Sequence, residues 1–290
     1  MTTDTKEIFE KVSYSKKQTD EYISLFEKKI SRELEHMAES HERKSKEIAK
    51  LVEPYRDHHK IQHEDVASSF AHLKTLAGYD HEQQRLKLTK HVGDQEARKN
   101  FMLNIDGHLS ISGAPYDVEW TNGAIAYAHK SNGEFGISPM NGYAAAAVGT
   151  FMSPTTPPGQ DIIARVTAYM PISYSWFNWI ISGGHASTHG GVGVLVYDLN
   201  DGSVVIDNRS KPELWNASRS TPGLSNQQDT QTYLSSTSAA ETYFVMRSGH
   251  RYLTWFWCWG GTYHSDGTNL SMASMACKLP FIVVKPWLSI

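Results

Sequence analysis

Two patterns of apolar positions divide the chain. In the first, apolar residues fall at Ile23, Phe26, Ile30, Leu34, Met37, Ile48, Leu51 and Tyr55. From Ile30 onward the steps run 4-3-4-3-4-3-4 when His41 and Lys44 take the two intermediate seam positions. That is the 3.5-residue repeat of a coiled coil, with one stutter between Phe26 and Leu34. The remaining faces are charged, and a long helix with so thin a stripe is not stable alone, so the pattern predicts a partner helix. Asp4 with Glu7 has capping-box spacing for its start, and Pro54 should stop or kink it. A second stripe, Val66, Phe70, Leu73 and Ala77, stops at Gly78, and Asp80 with Gln83 can cap a shorter helix reaching Val92. These segments either fold back as a hairpin within the chain or associate between chains, and the heptad register favours self-association.

The second pattern begins after residue 101. The helical period is replaced by short apolar runs between turn residues, which predict strands at 108–112, 124–129, 134–138, 143–151, 162–170, 173–181, 192–199, 203–207, 230–235, 241–247, 251–259, 269–277 and 281–284. The clearest hairpin runs from Val194 to Ile206 and turns at Asn200-Asp201-Gly202. Strands this frequent, with no helix between them, argue for an antiparallel sandwich of jelly-roll type. Residues 208–229 read as a long polar loop with Trp215 at its centre. Residues 251–259 read as a central strand with Leu253, Trp255, Trp257 and Trp259 on one face and Tyr252, Thr254, Phe256 and Cys258 on the other. The tryptophans are expected to fill the sandwich core, the alternative being a platform on which sugar rings stack.

Composition sharpens this division. Residues 1–100 hold 19 Lys+Arg against 19 Asp+Glu, with one proline and two glycines; residues 101–290 hold 9 against 12 and every tryptophan. The expected fold is therefore α+β in separate domains: a helical, coiled-coil oligomerisation stalk at 1–100 and an all-β antiparallel, jelly-roll-like head at 101–290. Neither part is basic, so the footprint that phosphate backbones require is missing and nucleic acid is not an expected partner. The N-terminus lacks the basic and apolar regions of a secretory signal, and no apolar run is long enough to span a bilayer. This reads as a protein made in the cytoplasm that could leave by a leaderless route. Cys258 and Cys277 make no disulfide framework.

Candidate chemistry is sparse. The sequence has no Gly-x-Ser-x-Gly elbow, P-loop or His-Glu-x-x-His, so no enzyme activity, cofactor or metal is expected. His59 and His63 lie one helical turn apart, but without a third ligand they read as surface histidines. A buried His41 in the seam would couple assembly to pH. His185 and His189 read as lying in a glycine-flanked loop, with no nearby carboxylate to complete a metal site. The segment from Pro171 to Trp179 resembles the aromatic lipid-headgroup segment of actinoporin pore-forming toxins, a likeness confined to that stretch.

The leading expectation is a non-enzymatic recognition or adhesion protein. Its stalk would assemble the chain with itself, a trimer being the expected order, and its heads would bind a glycan or cell-surface protein with avidity. Trp215 is the first choice of contact, and Tyr174, Trp176 and Trp179 form the rival site. The first alternative is a membrane-active toxin that uses those aromatics on lipid. The second is a structural subunit that self-assembles into a shell or filament.

Overall fold

The structure, a computed structural model, describes residues 9–10, 13–52, 110–123, 125–180, 184–207, 213–221, 223–233, 241–265 and 269–289. The second helical stripe, Tyr55, His59 and His63 lie outside the described residues, as does the side chain of His41.

One long helix, α1 (Lys16–Val52), precedes the strands. It starts later than Asp4 suggested, at a capping box built by Ser15 and Gln18. The Gln18 amide donates to Ser15 Oγ at 3.4 Å, and the Ser15 amide and hydroxyl donate to Gln18 Oε1 at 3.3 and 2.8 Å. Its described part reaches Val52.

The strands form an antiparallel sandwich of two sheets. The first sheet runs β1 (Phe9–Glu10), β6 (Gly142–Pro154), β13 (Tyr252–His264), β8 (Ala186–Asp198), β10 (Glu213–Arg219), with β3 (Val118–Asn122) also on β6 and β9 (Ser203–Asp207) also on β8. The second runs β2 (Ser110–Gly113), β15 (Phe281–Ser289), β7 (Ile162–Ile180), β14 (Leu270–Lys278), β5 (Glu134–Ile137), β4 (Ala126–His129), with β11 (Gly223–Tyr233) and β12 (Glu241–Met246) also on β7. The hairpin read at 194–206 is present: Asp198 pairs with Ser203, and Gly202 takes the positive φ the turn needs.

Two differences from the sequence reading matter. The strands expected at 162–170 and 173–181 are one strand, β7, which runs through Pro171. Pro171 falls where β7 changes neighbour, from β14 (to Ile172) to β15 (from Tyr169), and that break accommodates a residue without an N–H. The expected polar loop at 208–229 contains β10 and the first part of β11, held by ladders to β8 and β7.

The core has two layers. Between the sheets lie Phe256, Cys258, Val192, Val194, Val196, Tyr174, Trp215, Met275 and Cys277. On the outer face of the first sheet, Trp120, Trp255, Trp257 and Trp259 pack with Phe26, Ile30 and Leu34 of α1. The tryptophan row is thus buried, as its two apolar faces required, but beneath the helix rather than inside the sandwich. Among the described residues the α1 stripe lies on the chain's own sheet: Phe26, Ile30 and Leu34 are buried on it, with Ile23 and Met37 packed beside them. Ile48 is half-buried, and Leu51 is 73% exposed. A flat apolar sheet face accepts the same stripe that a helix would.

Candidate functional site

The C-terminal half of α1 and the β8–β10 edge of the first sheet enclose an open groove of about 410 Å³. Helical spacing brings His36, Met37, Ser40, Lys44, Ser45 and Ile48 to one wall. The other wall is the outer face of the two strands, where alternation sends Ser187 and His189 outward, with His185 just before β8 beside them. On β10, Asn216 sits opposite His189 and Ser218 opposite Ser187. A register shift between Glu213 and Trp215 then changes the parity of the strand. Glu213 joins Asn216 and Ser218 on the groove wall while Trp215 turns inward.

Hydrogen bonds cross-link the strands under the groove. Ser271 Oγ lies 2.7 Å from Asn178 Oδ1 and 2.6 Å from the Ser187 carbonyl, and Asn178 Nδ2 donates to the Ala217 carbonyl at 3.2 Å. These bonds tie β8 and β10 to β14 and β7 of the second sheet. Ser45 Oγ meets Ser187 Oγ at 3.3 Å, which joins helix to strand within the site.

Two imidazoles are fixed in it. Tyr143 Oη meets the Met37 carbonyl at 3.2 Å and His189 Nε2 at 2.8 Å. Burial, with the Glu213 carboxylate adding to it, pushes the Tyr143 phenol far above its usual range, so it stays protonated. His185 Nδ1 meets Ser220 Oγ at 2.9 Å, and its backbone N–H donates to Ser265 Oγ at 2.9 Å. Burial lowers the His185 pKa, which keeps the ring neutral near pH 7. Asn216 Nδ2 donates to Glu213 Oε2 at 2.9 Å. The groove is thus lined by neutral hydroxyls, an amide and imidazoles, with one carboxylate, and with an exposed amine at Lys44.

The residues singled out in the sequence sit elsewhere. Trp215 is only 4% exposed, donates Nε1–H to Thr188 Oγ1 at 3.0 Å and stacks on Tyr174 at 5.1 Å between centroids. It is a plug of the inter-sheet core, which corrects its reading as an exposed loop contact. Tyr174 is buried with it, and its hydroxyl donates to the Leu214 carbonyl at 3.4 Å. Because β7 is a strand, Trp176 packs against the inner core, while Trp179 lies half-buried with Phe177, Leu270 and Met272 in a separate cluster. The three aromatics therefore form no common lipid-facing loop. No helix among the described residues is long and apolar enough to cross a membrane. The groove residues Glu213, Asn216 and Ser218 were hidden by their polarity. The one signal was the alternation Trp215-Asn216-Ala217-Ser218, which is a strand pattern.

A second polar cluster lies at the β8–β9 turn, where ligand atoms of Asp198, Asp201 and His250 fall within 4.8 Å of one another. Its groups already serve the turn. Asp198 accepts from the amides of Asn200 and Asp201 at 3.0 and 3.3 Å and pairs with His250 Nδ1 at 2.8 Å, while Asp201 pairs with Arg247 at 2.6 Å. Cys258 and Cys277 are buried and free; burial and a hydrogen bond between the two thiols push Cys277 well above the usual thiol range.

No protein-family model matches the chain, and no curated protein sequence matches it. Similar solved structures include a chain of broad bean stain virus, at 9% identity and a TM-score of 0.17, covering 52% of this chain and 91% of that one. A xylan-binding domain from Paenibacillus barcinonensis is similar at 6% identity and a TM-score of 0.20, covering 60% and 83%. Tailspike protein 4 of bacteriophage CBA120 is similar at 11% identity and a TM-score of 0.18, covering 61% of this chain and 19% of that one. Values this low assign neither fold nor function to the chain.

Proposed function

We propose that the protein is a non-enzymatic recognition module that holds a carbohydrate in the groove between α1 and the β8–β10 edge. The observation that carries this reading is the groove's lining. Ser40, Ser45, Ser187, Ser218, Asn216 and His185 offer many neutral, directional donors and acceptors, beside a single carboxylate, Glu213. A polyhydroxylated ligand matches such a lining, because each hydroxyl both donates and accepts and brings no charge to desolvate. Catalysis has less support. The Ser220–His185 contact uses Nδ1, and among the described residues no carboxylate hydrogen-bonds His185 to polarise it. Copies of the chain associate through the exposed end of the α1 stripe, at Leu51, and so multiply a weak site.

A glycan array followed by titration calorimetry tests the reading. Asn216→Ala and Glu213→Ala each remove a polar group from the wall and should weaken binding about tenfold or more, with little change in melting temperature. Unchanged affinity in both variants places the ligand elsewhere and overturns the proposal.

A further inference from the structure

The tryptophan row beneath the N-terminal half of α1 is the one motif that the groove does not absorb. We propose that this row is a covered sugar-stacking surface continuous with the groove, and that α1 is a displaceable cover over it. The inference rests on the carbohydrate reading of the groove and extends the ligand from a short sugar to a chain of several rings.

The surface is built to be flat. On β13, Trp255, Trp257 and Trp259 face the helix. Their neighbours on β6 are Gly149, Ala147 and Ala145, and those of Trp257 and Trp259 on β8 are Gly193 and Gly191. Small residues let the indoles lie across the adjoining strands; a Cβ on Gly149 would come within 2.9 Å of the Trp255 ring. Trp120 of β3 extends the patch.

The cover occupies the position a ligand ring would take. Phe26 stacks on Trp255 with centroids 4.2 Å apart and an interplanar angle of 21°, and meets Trp120 edge-on at 5.0 Å. A pyranose presents an apolar face of similar size to an indole. What α1 does not supply is acceptors: the Nε1–H groups of Trp120, Trp255, Trp257 and Trp259 are all buried and meet no hydrogen-bond partner among the described residues. Sugar hydroxyls and ring oxygens would satisfy them, whereas the helix leaves four donors desolvated. Two of the polar ties that hold this part of α1 are long: Tyr197 to the Leu25 carbonyl at 3.4 Å and Asn122 to Ser31 Oγ at 3.3 Å.

Row and groove meet. Trp259 lies 5.5 Å from His189, which lines the groove. A chain engaged at the open end therefore reaches the stacking surface only if α1 moves aside.

The test uses the full chain with Ser31→Cys and Asn122→Cys, two residues already in contact, joined by oxidation and released by dithiothreitol. Xylohexaose, cellohexaose and maltohexaose are titrated alongside their monosaccharides, with tryptophan emission and calorimetry as readouts. In the reduced form a hexasaccharide should bind about tenfold more tightly than its monosaccharide and perturb the emission. Oxidation should remove that advantage and reduction restore it, and Phe26→Ala should tighten hexasaccharide binding. If the staple leaves hexasaccharide affinity unchanged while Asn216→Ala still weakens it, the ligand is confined to the groove; the cover is then refuted and the groove reading survives. If no sugar binds any form, including Phe26→Ala, both fall.

Discussion

The indole of Trp215 lies over the backbone of Gly190, where a Cβ would overlap its ring, and its outer face stacks on Tyr174 from the opposite sheet. It therefore links the two sheets, and truncating it leaves a cavity that neither backbone can close. Trp215→Ala should cost about 3–5 kcal/mol in chemical denaturation, and an unchanged midpoint would show that the ring is not packed as described. Sequence could not place this residue, since Asn, Ser and Gln surround it and only the Gly190 opposite makes room for it. His185 gives a second prediction at this scale. Its folded pKa lies below the ordinary 6.5 because it is buried, so the unfolded chain binds the proton more readily. Stability is then complete above about pH 6.5 and falls as pH drops below it. The melting temperature should decline from pH 7 to pH 5, and His185→Gln should flatten part of that slope. A parent profile already flat over this interval would discount the burial of the ring.

At the scale of elements, α1 was legible and its partner was not. The spacing of Phe26, Ile30 and Leu34 specifies a narrow apolar stripe, but a stripe does not say whether a helix or a sheet covers it. The answer depended on the outer face of β13, whose tryptophans needed a cover that a two-layer sandwich does not provide. The β8–β9 hairpin was legible because Asn200-Asp201-Gly202 carries its own turn chemistry. Only the end of β11 was, from Thr230 onward, because the stretch before it lacks apolar alternation and is defined by its backbone ladder to β7. The two ends of the helical stripe can be separated experimentally. Ile30→Asp puts a charge under the helix and should undock it, seen as a red shift and stronger acrylamide quenching of tryptophan emission with the far-ultraviolet β signal retained. Leu51→Asp touches a residue 73% exposed and should leave the emission alone while lowering the sedimenting mass. If Leu51→Asp keeps the parent mass, association does not run through that end of α1.

At the scale of the whole molecule, β7 joins most of the second sheet: β11, β12, β14 and β15 all hydrogen-bond to it. It is 19 residues long, and two of those partners lie at 270–278 and 281–289. A ribosome delivers β7 well before it delivers those neighbours. During that interval a long strand with apolar side chains and unsatisfied backbone edges waits for company, open to pairing with another nascent copy. Contacts this distant in sequence also make closure slow, on the order of milliseconds to seconds. Refolding yield should therefore fall steeply as protein concentration rises, and a variant with charge added to β7 should refold in better yield than the parent. A yield independent of concentration would mean that β7 finds shelter early, against β12 or within the first sheet, before the rest of its sheet has been made.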